Sequence, residues 1–385
     1  MRDRSKSLEI LLYAIFLAFL LDPGNSIFKL KFPLFALLLL WWLKNGMQIT
    51  KIEFEFIAIF LSSTVISSVV GILHNGSFSF SVGIIMSSGL FLLMPIFRIY
   101  DGSVIKIFSR TCLVVAFLII ILFIAELVLP HSLILPLYTF GNAHNSFTID
   151  FRYYAGIRFG NVYFHASPMF VVADAYYTDQ YLKRKNVQSL IPAVVVVAAF
   201  FLTGSRNNMI VALLIPVILI FIEGSRKQKL AVILIFLIFA ASVIPVLRVF
   251  FDTTDYSNSI KLGYFSIFGK VINSNSLNWI TGCGLGTTVY VPAVEKEVYL
   301  TELTYLNCIY WFGIPMCLIL FRILATPIFK KMEKSEKYVK VIYVMFLYLC
   351  SLNPFLFNSV GITVLSICIY HLYEYIPNQA ESGLG

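Results

Sequence analysis

An all-α, polytopic integral membrane bundle with about twelve transmembrane helices is predicted by three observations. Apolar runs approaching the thickness of a bilayer recur along the whole chain. Only 13% of the residues are charged, against roughly 25% in soluble domains, and the mean hydropathy is +0.86. Lysine and arginine also concentrate in alternate connections. Because unsatisfied backbone is not tolerated in hydrocarbon, such runs fold as helices packed on one another, and residues 1–385 read as a single transmembrane domain.

The spans follow in order. Runs 8–21 and 27–43 turn at Asp22-Pro23-Gly24-Asn25, with Trp41 and Trp42 as interfacial anchors; both are short, so a re-entrant pair is the alternative. No A-x-A-type cleavage site follows the first run, which reads as an uncleaved span. Runs 52–73 and 80–97 turn at His74-Asn75-Gly76-Ser77, and 111–129 leads into a polar loop at about 130–161. Run 162–181 is a poor span because of Asp174 and Asp179, and it lands on Lys183-Arg184-Lys185. Runs 191–203 and 209–222 flank Thr203-Gly204-Ser205-Arg206. Run 230–247 leads to the longest polar stretch, about 248–298, and 299–324, 339–357 and 359–375 complete the set.

Of the 29 lysines and arginines, 20 fall on the side of the termini and 9 on the other. This bias places both termini in the cytoplasm and the two long loops outside. Topology therefore accounts for the net charge of +9, and no nucleic-acid partner is expected. The six cysteines are scattered, five of them inside apolar runs, and no histidine pair has metal-ligand spacing. No disulfide framework, metal or cofactor is expected.

The polar residues that a bundle does not need cluster on the outer side. Arg206 sits in a short polar turn between two apolar runs, where an ionisable group is a functional candidate by default. Arg152, Arg158 and Arg248 occupy the two outer loops and can converge with it. The guanidinium fork binds oxyanions in bidentate fashion and stays charged when partly buried, which suits a lipid-linked pyrophosphate. Snorkelling to lipid headgroups is the alternative for these arginines. Glu302, Tyr305, Leu306 and Ile309 share one helical face, and the Glu302 carboxylate suits a general base for a sugar hydroxyl. A solvated first-turn glutamate is the alternative. Ile260, Tyr264, Ile267, Phe268 and Val271 predict an amphipathic helix, whereas Gly282-Cys283-Gly284-Leu285-Gly286 reads as a flexible turn.

Three local patterns carry a family resemblance. Phe201-Leu202-Thr203-Gly204-Ser205-Arg206, Gly156-Ile157-Arg158-Phe159-Gly160-Asn161, and the segment from Trp279 to Gly286 followed by Glu302-Leu303-Thr304-Tyr305-Leu306 and Gly313-Ile314 resemble the O-antigen polymerase and ligase superfamily of bacterial envelopes. The resemblance implies a membrane glycosyltransferase at the periplasmic face of the inner membrane, joining undecaprenyl-pyrophosphate-linked oligosaccharide repeat units. Arg206, and less directly Arg158, inherit the pyrophosphate role, with Arg248, Arg152 and Lys261 as further contacts. Lys261 stands where many relatives carry arginine. Glu302 and Tyr305 fall to the acceptor side. Ligases carry a histidine where this chain has Glu302, which favours a polymerase. The alternatives are an O-antigen ligase acting on lipid A core, a capsule polymerase and, last, a glycolipid transporter. The bilayer, and a chain-length regulator and flippase of the same pathway, are the candidate partners.

Overall fold

The computed structural model describes residues 2–100, 102–154, 157–234, 256–292, 295–331 and 337–373, over which the chain is an all-α membrane protein with two small antiparallel ribbons. Among these residues, five helices are long and apolar enough to cross a bilayer: Lys51–Leu73, Phe78–Arg98, Val104–Val128, Arg206–Glu223 and Thr304–Phe329. Most of the expected run 230–247 lies outside the described residues.

Helices α1 (Arg2–Leu21) and α2 (Lys31–Lys44) are joined by a turn built on Asp22. Its carboxylate accepts hydrogen bonds from the backbone N–H groups of Ser26, Ile27 and Phe28 at 2.7, 2.9 and 2.8 Å. Burial alone would raise the Asp22 carboxyl, but the backbone donors outweigh it and hold it below its ordinary 3.8. The stabilisation this gives is present above the unfolded value of 3.8 and is lost as pH falls through the lower folded value. Asp22→Asn is therefore expected to cost about 1–2 kcal/mol at neutral pH and to flatten the acid limb. Thermal unfolding of both proteins from pH 3 to 7 checks this, and parallel profiles would remove the assignment.

Helix α3 (Lys51–Leu73) starts at a capping box in which the Thr50 N–H donates to the Glu53 carboxylate at 2.7 Å and the Glu53 N–H donates to the Thr50 hydroxyl. The next crossing is made of α4 (Phe78–Ser88), a 3₁₀ turn at Gly89–Leu92 and α5 (Leu93–Arg98). Pro95 lacks the N–H that the Phe91 carbonyl would receive in a continuous α-helix. Arg98 closes α5 on Glu53, 3.4 Å away. Helix α6 (Val104–Val128) begins seven residues before the expected run, because the Ser103 hydroxyl accepts from the Lys106 N–H and caps it there.

The polar stretch at 130–161 contains regular structure among its described residues. Helix α7 (His131–Ala143) leads into a hairpin of β1 (Phe147–Tyr154) and β2 (Ile157–Phe164), with Phe147 opposite Phe164 and Ile149 opposite Val162. The expected span 162–181 is thereby corrected. Residues 162–164 belong to the hairpin, and helix α8 (Phe170–Arg184) starts at Phe170. Helices α6, α9 (Val187–Leu202), α10 (Arg206–Glu223) and α14 (Lys337–Ser351) surround α8. Its buried Asp179 pairs with Lys183 one turn on, at 2.8 Å, and its buried Asp174 accepts from the Thr178 hydroxyl at 3.4 Å. Helix α15 (Ser359–Tyr373) is buried at every position from Ser359 to Leu372, as expected of a helix apolar on all sides.

The second long stretch contains α11 (Tyr256–Asn273), α12 (Asn278–Thr281), β3 (Val289–Val291) and β4 (Lys296–Val298). Helix α11 is the predicted amphipathic helix. It buries Tyr264, Phe268 and Ile272, and Phe268 meets Tyr310 edge-on at 4.7 Å between ring centroids. The stretch α13 (Thr304–Phe329) is two helical segments that meet at Gly313, with Tyr305 of the first 5.5 Å from Phe321 of the second between ring centroids; it begins five residues after the expected start, so Glu302 lies before the helix and not on its face.

The glycine segment is a clamp, not a flexible turn. Gly282, Gly284 and Gly286 all have positive φ, between 71° and 89°, and residues 282–287 are buried. The Cys283 N–H donates to the Tyr310 carbonyl at 2.7 Å, and the Leu285 N–H donates to the Ser67 carbonyl at 2.9 Å. The Ser67 hydroxyl donates to the Trp311 carbonyl at 2.7 Å. The bonds to the Tyr310 and Trp311 carbonyls satisfy groups freed where α13 breaks at Gly313 (φ 69°, ψ 173°), and the Leu285 bond fixes the segment to α3.

Candidate functional site

Contacts between residues distant in sequence tie the turns and loops of the bundle to one another. The Ser26 hydroxyl donates to the His144 carbonyl and the Ser146 hydroxyl to the Leu21 carbonyl, tying the α1–α2 turn to the start of the hairpin. The Lys31 ammonium donates to the Ser359 hydroxyl, the Thr304 hydroxyl to the Asn353 carbonyl, and the Ser77 N–H to the Gly286 carbonyl.

Arg206 is the first residue of α10, and its side chain is partly exposed. The turn that carries it is internally bonded. The Thr203 hydroxyl donates to the Phe200 carbonyl at 2.7 Å. The Asn208 amide donates to the Thr203 hydroxyl at 3.1 Å and to the Ser167 hydroxyl at 2.9 Å. Gly204 has φ +66°, and a β-carbon there would overlap Asn161 of β2. The guanidinium thus leaves a rigid corner at a helix N-terminus, where free N–H groups and the helix dipole favour anions.

Asn161 was not singled out by the sequence reading, although its segment was. It is 1% exposed, and neither its amide nitrogen nor its amide oxygen has a hydrogen-bond partner among the described residues. A buried unpartnered amide is costly unless something uses it. Asn161→Leu is expected to leave the melting temperature unchanged or higher, since both unsatisfied groups go, while lowering activity if a ligand supplies the missing bonds. Unfolding and activity measured on one preparation separate the two effects.

The structure places the other predicted residues as follows. Arg152 lies on β1 and Arg158 on β2, facing Phe159 and Tyr153 in the register, and Lys261 lies on α11; their side chains are outside the description. Arg248 lies wholly outside the described residues. Glu302 is exposed, two residues before α13. Tyr305 donates its hydroxyl to the Leu347 carbonyl at 2.9 Å and lines an apolar cavity of about 290 Å³ with Phe321 and Leu324.

A second cavity, of about 440 Å³, opens between α2, α4, α13 and the α14–α15 turn, walled by Lys31, Phe80, Thr304, Asn307, Trp311 and Phe357. Neither Arg206 nor Glu302 lines it, although Thr304 does. Burial pushes the Cys283 thiol up to about 11, so it is a packing group and not a nucleophile. Burial lowers His165, at the end of the hairpin, which favours its neutral form. Among the described residues no three His, Cys, Asp or Glu side chains gather as a metal site. No protein-family model matches the chain, and no curated protein matches it.

Proposed function

We propose that the protein is a bacterial inner-membrane polymerase of lipid-linked oligosaccharide repeats, with about twelve spans, cytoplasmic termini and the Arg206 end in the periplasm. The observation that carries this reading is Arg206, the first residue of a helix, two residues after the Gly204 corner that packs on Asn161. A hydroxyl of the acceptor sugar attacks the anomeric carbon of the donor. The bond from that carbon to the phosphate oxygen breaks, and undecaprenyl pyrophosphate leaves with the electron pair. Arg206 binds the charge that develops, with Arg158, Arg152, Arg248 and Lys261 as the further cations of the outer loops. Glu302 takes the hydroxyl proton, with Tyr305 three residues on, and the leaving group needs no nucleotide.

Deletion of the coding sequence tests the assignment through the lipopolysaccharide banding pattern. A polymerase leaves core bearing a single repeat. Bare core instead identifies a ligase or a transporter of the same glycolipid, which elongation by purified protein without a gradient separates from a polymerase, and unchanged banding places the activity on another polysaccharide.

A further inference from the structure

The 440 Å³ cavity contains a feature that the Arg206 reading does not use. Lys31 is only 4% exposed, and among the described residues no carboxylate lies within 4.0 Å of its ammonium. Its hydrogen bonds go to two neutral oxygens, the Pro23 carbonyl at 2.5 Å and the Ser359 hydroxyl at 3.1 Å. Asp22, the nearest acid in sequence, already spends its oxygens on the backbone N–H groups of its own turn. The charge of Asp22 and the ring of Phe32, 5.4 Å from the ammonium, offset only part of the cost of burying this cation.

Trp311 lines the same wall; it is 3% exposed, and its indole N–H, itself buried, has no acceptor among the described residues. The remaining walls are mixed. Phe80 and Phe357 flank Trp311 at 5.9 and 6.2 Å between centroids, while the Asn358 amide and the Thr304 hydroxyl, which donates to the Asn353 carbonyl, add polar groups; the Asn307 amide is spent on Thr301. Aromatic faces beside amides and hydroxyls suit the apolar and polar faces of a sugar or another polyol, and the ammonium suits its anionic substituent.

We propose that this cavity binds the headgroup of a lipid phosphate ester, its phosphate on Lys31 and its polyol portion between Phe80, Trp311 and Phe357. The site is separate from Arg206 and stands whether or not the polymerase reading does. If that reading holds, the ligand is the second lipid-linked saccharide that block transfer requires.

The test is a native mass-spectrometry titration of the full-length protein in octaethylene glycol monododecyl ether, a detergent without phosphate or sugar. The probes are undecaprenyl pyrophosphate, phosphatidylglycerol and inorganic pyrophosphate. Wild type is expected to bind at least one saturably, and Lys31→Met to bind it about 10- to 100-fold more weakly. Lys31→Arg should stay close to wild type. Gly83→Leu is an independent probe: Gly83 lines the cavity with open space where a β-carbon would stand, so leucine fills the site without touching Lys31. It should lose the same binding with an unchanged melting temperature. Binding of undecaprenyl pyrophosphate but not phosphatidylglycerol identifies a carrier lipid, and the reverse identifies a bilayer lipid. Persistence of the effect in Arg206→Ala separates this site from the polymerase assignment. No saturable binding of any probe, or unchanged affinity in stably folded Lys31→Met or Gly83→Leu, overturns the proposal.

Discussion

Gly284→Ala is expected to yield little or no folded protein. Gly284 has φ +89°, where an L side chain is strained, and the added β-carbon would overlap the backbone nitrogen and Cα of Gly71 in α3. Neither can retreat. The Leu285 N–H is bonded to Ser67 one turn earlier, and the Gly76 N–H is bonded to the Gly71 carbonyl at 2.7 Å. Strain and overlap together are put at about 4 kcal/mol or more, out of a total stability of roughly 5–15 kcal/mol. Gly313→Ala should behave alike, since its β-carbon would overlap the Ile280 carbonyl across the interlock. The control is Gly269→Ala in α11, where nothing lies within 4 Å; it should be neutral or up to about 1 kcal/mol stabilising. Monodisperse yield and thermal unfolding in detergent measure all three. A Gly284→Ala protein that melts with wild type would mean that the glycine segment is not clamped.

The sequence made the bundle legible because the apolar runs and the basic bias are properties of single segments. The clamp was not legible, because its meaning lies in partners far along the chain. Gly282 to Gly286 look like a loose turn until Ser67, Gly71 and Tyr310 arrive to receive their backbone. The hairpin carried a local signal. Phe147, Ile149 and Phe151 alternate with Thr148, Asp150 and Arg152, a period of two that charge content overrode when the stretch was read as a polar loop. In the candidate site, Arg206 was visible as a charge between apolar runs. Asn161 and Lys31 were not, since an amide in a polar segment and a lysine at a span's end are ordinary until burial is known. Lys31 is buried partly through Ser359, 328 residues away.

Arg206→Ala is expected to reduce polymer yield by about 10²–10³-fold while the protein remains folded and inserted. The side chain is partly exposed, and the bonds that shape its corner run through Thr203, Ser167 and Asn208, none of which the substitution touches. Arg206→Lys decides between two roles. A snorkelling or purely electrostatic side chain tolerates lysine, whereas a bidentate clamp on a leaving pyrophosphate does not, so under the proposed mechanism lysine recovers little activity. Glu302→Gln should lower the rate by about 10²–10⁴-fold if the carboxylate takes the acceptor proton, with Glu302→Asp retaining part of it. Because Glu302 is exposed and stands before α13, neither change should move the melting temperature. The readout is the elongation of lipid-linked repeats by purified protein, with chain length on a lipopolysaccharide gel as the cellular counterpart. Wild-type elongation by both Arg206→Ala and Glu302→Gln would place the chemistry elsewhere. Loss in Arg206→Ala alone would keep the pyrophosphate site at this corner and move the base to another acidic group of the same end.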